Sequence, residues 1–183
     1  MSTITIRQAV VDTIAAALPA LRACEAHGGR FDAKELQRVS TKSPAVLVAI
    51  TRATGIDLVH GQRAGELTFA AFVCTRDTAE ATRADMALQI LDGLAGIIPG
   101  NRWGLDDAQS EPRSINAQNL FSAGVDRQGV ALWGVSWTQS FVLSTDVDMD
   151  ALNDFLTTVV DYDLDTQQDG DPVGQDNISL PQV

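Results

Sequence analysis

The sequence predicts an α+β domain, a mainly antiparallel sheet with two helices packed on one face, followed by an acidic extension. Three observations predict it. Short apolar runs and one long alternating run read as strands, two stretches repeat their apolar residues at helical spacing, and nearly all the net charge lies after residue 143.

The chain opens on an amphipathic helix, because Ile6, Val10, Ile14, Ala17 and Leu21 recur every three or four residues while Arg7, Gln8 and Asp12 occupy other parts of the wheel. Pro19 stops it by Leu18, since a proline inside a helix lacks its N–H, clashes with the preceding turn and costs ~3 kcal/mol. Leu21–Glu25 then reads as a short strand closed by His27-Gly28-Gly29. Asp32-Ala33-Lys34-Glu35 resembles a capping box and opens one helical turn before Ser40.

Ala45-Val46-Leu47-Val48-Ala49-Ile50, after Pro44, is a continuous apolar run and reads as a buried strand. Leu67–Thr75 is a second one, apolar on both faces. Between them Arg52–Gly65, with Gly55, Gly61 and Gly65, reads as a long polar loop at the tip of an antiparallel hairpin, placed to touch a partner. Asp77-Thr78-Ala79-Glu80 carries helix-start chemistry, and Ala84, Ala87, Leu88, Leu91, Leu94, Ala95 and Ile98 repeat at three and four until Pro99-Gly100. Small and medium apolar residues of this kind suit a helix lying flat on a sheet.

Arg113–Leu120 is the next expected strand and Ser122–Gly129 a loop. Ala131–Leu143 alternates: Trp133, Val135, Trp137, Phe141 and Leu143 fall on one face, and Gly134, Ser136, Thr138 and Ser140 on the other. After it the pattern fades. Asp150–Leu156 reads as a short helix, and Asp165–Val183, rich in Asp, Gln, Gly and Pro, as a tail that is mobile or ordered by a partner. The expected division is thus a domain over residues 1–143 and an acidic extension over 144–183. The sheet has two open edges, and open edges invite strand addition from another subunit.

Residues 1–143 hold all 13 Lys and Arg against 14 Asp and Glu, a balance of −1, whereas 144–183 hold ten Asp and no basic residue. A neutral body with an acidic extension argues against phosphate-backbone binding, which needs clustered cations. No stretch approaches the ~20 apolar residues of a membrane span, and the first residues lack the pattern of a secretory signal, so assembly in a cytoplasm is expected. Cys24 and Cys74 read as small buried hydrophobes.

Nucleophilic catalysis requires a base beside a Ser, Cys or Thr, and the only imidazoles, His27 and His60, stand next to glycines with no nucleophile motif around them. Asp161-x-Asp163-x-Asp165 has the alternating carboxylates of a calcium loop, but Thr166 replaces the glycine and Pro172 the bidentate glutamate that such a loop needs. Asp146-x-Asp148-x-Asp150 fails similarly. The reading is therefore a non-enzyme with no cofactor and no metal. Trp103, after Pro99-Gly100-Asn101-Arg102, stands as either a core anchor or a partner contact, while Trp133 and Trp137 read as core.

Pro44–Val48, Ala71–Thr75 running into the helix with Arg83 and Ala87-Leu88, Ile97–Leu105 and Ala131–Gln139 together resemble proteins of Mu-like phages and prophages encoded among the tail genes, similar in design to tail terminators. The resemblance implies a virion structural protein with a tail-terminator-like fold. It implies a six-fold ring of identical copies that caps the head-proximal end of the tail tube, stops its polymerisation and docks the head-neck connector. Its partners would be copies of itself, the tube protein and the connector, with DNA passing through the lumen unbound and no membrane involved. Residues expected at such contacts are Arg52, His60, Arg63, Arg102, Trp103, Asp161, Asp163 and Asp165. An acidic lumen would keep passing DNA from being gripped, provided the aspartates lie within about a Debye length of it, ~8 Å. Two alternatives stay open: a neck or completion protein, and a small calcium- or ligand-binding module built on the Asp-x-Asp segments.

Overall fold

The computed structural model describes residues 1–30, 33–120, 125, 129–144, 157–162 and 174–179. The chain divides into two compact units, Met1–Thr145 and Asp146–Val183.

Helix α1 spans Thr3–Ala17. Ser2 caps it by accepting from the Thr5 N–H at 3.1 Å, and Ile6, Val10, Val11 and Ile14 form its buried stripe. The helix ends just before Pro19, as its ring chemistry requires. Strand β1 (Ala23–Ala26) and helix α2 (Ala33–Ser40) follow, then β2 (Ala45–Val59), β3 (Gln62–Arg76), helix α3 (Arg83–Ile97), β4 (Arg113–Asn119) and β5 (Val130–Val142). Helix α2 runs over eight residues, longer than the single turn expected.

The sheet order is β1-β2-β3-β5-β4; β1 lies parallel to β2 and the other neighbours are antiparallel. The mainly antiparallel expectation thus fits a mixed sheet. Helices α1 and α3 cover one face, where Val46, Val48, Leu67, Phe69, Val73, Val135 and Trp137 meet Ile6, Val10, Leu94 and Ile98. A third helix, α2, lies on the opposite face, where Leu36 and Val39 close a smaller core over Leu47, Cys74 and Leu132. The sequence expectation counted two helices because α2 is short and its apolar residues are few. Their covering explains why Leu67–Thr75 and Ala45–Ile50 are apolar on both faces.

Helix α3 starts later than the Asp77–Glu80 signal suggested. Thr82 is its N-cap, accepting from the Asp85 N–H at 3.1 Å, while Asp77 accepts from the Arg83 N–H at 2.8 Å and Thr78 from the Ala81 N–H at 3.1 Å. The helix-start chemistry at 77–80 shapes a turn that delivers the chain to the cap. Of the expected stripe, Ala87, Leu94 and Ile98 are buried, whereas Ala84, Leu88 and Ala95 face solvent.

In the second unit β6 (Thr157–Tyr162) pairs antiparallel with β7 (Gly174–Ser179), from Thr157 opposite Ser179 to Tyr162 opposite Gly174. No strand was expected here; β7 lies within the stretch read as a tail that is mobile or ordered by a partner. The β-branched run Thr157-Thr158-Val159-Val160 was the available signal, outweighed by the surrounding aspartates. The expected helix at Asp150–Leu156 lies outside the described residues, as does most of Ser122–Gly129. Among the described residues no helix is long and apolar enough to cross a membrane.

Candidate functional site

The stretch Arg52–Gly65 is not a loop. Strands β2 and β3 are 15 residues each and run to a two-residue connection at His60-Gly61, about 50 Å from end to end. His60 (φ 50°) and Gly61 (φ 79°) are both left-handed, the requirement of the tight turn whose twist matches paired strands. Two bulges, between Ile50 and Arg52 and between Thr54 and Asp57, interrupt the β2–β3 register; Gly55 supplies a positive φ of 58° in the second. Glycines that read as loop punctuation therefore serve a bulge and a turn.

The hairpin has two halves. Ala45–Ala49 are buried, whereas Thr51–Ala53 and Gly55–Val59 are exposed. Strand β1 pairs only with Ala45–Val48, so β2 beyond that point has no second strand neighbour among the described residues. We call this projecting half the arm. At the other side of the sheet β4 is exposed along its whole length and, among the described residues, pairs only with β5. These are the two open edges that the sequence led one to expect.

Register assigns the faces of the arm. Arg63, Gly65, Leu67 and Phe69 alternate along the regular β3 strand, so they share the face on which α1 and α3 lie. Leu58 stands opposite Arg63, and a Cβ built on Gly65 would come 3.0 Å from Ile56 Cγ1, which sets both aliphatic residues on that face. Leu58 is 68% and Ile56 54% exposed, and Ile4 at the start of α1 is 70% exposed. Large aliphatic side chains exposed on this face, uncovered among the described residues, are the mark of a contact surface rather than a core.

Of the residues picked from sequence, Arg52, His60 and Arg63 all lie on the arm and are exposed, Arg63 on the α1/α3 face and Arg52 on the other. Arg102 is exposed on the segment after α3, its guanidinium donating to the Ala108 carbonyl. Trp103, left open between core and interface, is a core residue here, 4% exposed and 5.8 Å from the Trp137 ring, which in turn stacks on Phe69 at 5.2 Å. Asp161 lies in β6; Asp163 and Asp165, like Asp146-x-Asp148-x-Asp150, lie outside the described residues. No group of three or more His, Cys, Asp or Glu among the described residues is placed to hold a metal.

One residue that mattered was missed. Gln139 is fully buried in the apolar face of β5; its Oε1 accepts from Trp103 Nε1 at 2.7 Å, and its Nε2 donates to the carbonyls of Ser110 (2.8 Å) and Asn101 (3.2 Å). This single amide ties the segment between α3 and β4 down onto the sheet. A lone glutamine in register with Trp137 and Phe141 was its signal.

His27 Nδ1 accepts from the Gly29 N–H at 3.0 Å, and Nε2 faces Glu35 Oε1 at 3.0 Å. Both ring nitrogens are thereby used in holding the β1–α2 connection. Arg38 grips Glu35 with two hydrogen bonds of 2.9 and 2.6 Å, which, with the smaller help of His27, hold the Glu35 carboxyl down at about 2. Cys24 is half-buried and Cys74 buried, both unbridged; burial pushes both thiols up to about 11, away from nucleophilic thiolate chemistry.

No curated relative matches the chain. A family model does: the family described as Bacteriophage Mu, Gp37 matches residues 2–142, which is the first unit nearly end to end. With its sheet, its arm and its unpartnered edges all inside the matched region, the chain belongs to the bacteriophage Mu Gp37 family, a family of Mu-like phage tail proteins.

Proposed function

We propose that this phage structural protein is a tail terminator, a ring that caps the head-proximal end of the tail tube, stops its polymerisation and presents a docking face to the neck. The observation that carries the reading is the arm: the outer half of the 15-residue strand β2 has no second strand neighbour among the described residues and carries Ile56 and Leu58 exposed. A tube built from stacked rings grows as long as each new top face repeats the one beneath it. Growth ends when a ring arrives whose upper face differs, so the work is done by binding alone and needs no reacting group. His27 and the two cysteines support that reading, because their polar atoms are engaged or buried within the fold.

Assembly of tails with and without the chain tests it. Without the chain, tubes should run past their normal length and fail to join filled heads; supplying purified chain should restore both. Tubes of normal length joined to heads in its absence would overturn the reading.

A further inference from the structure

A ring of identical copies needs two different patches on each chain, one for each neighbour. The face bearing α1 and α3 carries two such patches, at opposite ends of β2. At the arm end Leu58 and Ile56 project, with Arg63 directly across from Leu58; Arg52, opposite Thr68, lies on the other face of the sheet. At the other end the last turn of α1 and the first turns of α3 leave an open apolar groove of about 410 Å³, lined by Leu18, Leu21, Pro44, Met86 and Ile90. Gly93 lets the two helices approach there, since a Cβ at 93 would come 2.7 Å from Leu18 Cδ2.

The two patches also match in charge. Of the charged residues between 52 and 63, Arg63 stands on this face, whereas Arg52 and Asp57, opposite Thr68 and Ala64, stand on the other, so the docking face is cationic. Beside the groove, Asp85, Leu88, Gln89 and Asp92 form one outward stripe of α3 at helical spacing, an exposed leucine between two carboxylates with no cation among them. Leu58 lies thirteen residues beyond the start of β2 at Ala45, next to the groove, roughly 40 Å along the strand. The arm therefore cannot fill its own groove.

We propose that the arm of one copy docks in the α1–α3 groove of the next, Leu58 and Ile56 entering between Leu18 and Ile90 while Arg63 faces Asp92. This rests on the ring reading and names the surfaces that make the ring. Contact between two unlike patches passes from copy to copy and closes when the rotation permits.

The test is a cysteine pair, Leu58→Cys with Gln89→Cys, in the full chain under mild oxidation, with sedimentation run in parallel. The natural Cys24 and Cys74 give little background, being partly or wholly buried. The double variant should give a covalent ladder from dimer to closed ring, and each single variant none. A double variant that sediments as an oligomer without a ladder overturns arm-in-groove docking and leaves the ring standing. So does a ladder-free dimer that Leu58→Cys forms alone, which signals a symmetric contact. A chain that stays monomeric at every concentration and on isolated tube ends overturns both. Arg63→Glu should raise the concentration needed for assembly roughly tenfold, and adding Asp92→Arg should reverse it; no reversal counts against the pairing.

Discussion

Strands β2 and β3 pass through two environments. Near Ala45, side chains are buried on both faces by α1, α3 and α2, and aromatic residues stack across strands; toward the His60-Gly61 turn, pairing continues past two bulges, with β3 still buried from Ala64 but β2 carrying aliphatic side chains in water. Backbone pairing is thus common to both halves, and burial is what separates them. The first half holds the fold together, and the second is built on it as a rigid extension whose apolar cost is recovered only when something covers it.

Substitutions should therefore split along this line. The largest effect belongs to the covered half: Trp137→Ala removes the ring that both Phe69 and Trp103 pack against and should cost about 3–5 kcal/mol in denaturant unfolding. Gln139→Ala should cost about 1–3 kcal/mol, because the Trp103 Nε1–H and two carbonyls would be left buried without their partner. Indole fluorescence of Trp103 would report the loosened segment.

Acid sharpens the same contrast on the far face. The Glu35 carboxyl is held below its ordinary 4.5, at about 2, so its contribution is complete above about 4.5 and is lost as pH falls towards 2. Unfolding midpoints measured from pH 6 down to 2.5 should drop, and the drop should flatten in Glu35→Gln. The smallest effect on stability belongs to the arm: Leu58→Asp should move unfolding by no more than about 0.5 kcal/mol while abolishing assembly. If it destabilises the isolated chain as a core substitution does, the two halves are not distinct.

What could be read from sequence follows the same division. The covered half was legible because burial imposes periodicity: the alternation of Trp133 to Leu143, the stripe Ile6–Ile14 and the stop at Pro19 all reappear as β5 and α1. The arm was read as a loop because an exposed strand has no apolar face to reveal it, and its three glycines resemble punctuation. Ile56-Asp57-Leu58 followed by His60-Gly61 was the trace of a strand and its tight turn. Helix α3 was found but begun too early, since Asp77, Thr78 and Thr82 all carry capping chemistry and only the third caps the helix. The paired strands of the second unit escaped notice because ten aspartates dominate the composition there. The sheet's open edges were legible; which side chains stand on the arm's helix-side face was not, because two bulges shift the register between Ile50 and Asp57.

Amide hydrogen exchange, compared between the isolated chain and the assembled one, tests the contrast most directly. Residues 51–59 should exchange quickly when alone and slow at least about a hundredfold on assembly, while 45–49 stay protected throughout. Equal protection of 51–59 in both states would contradict the account.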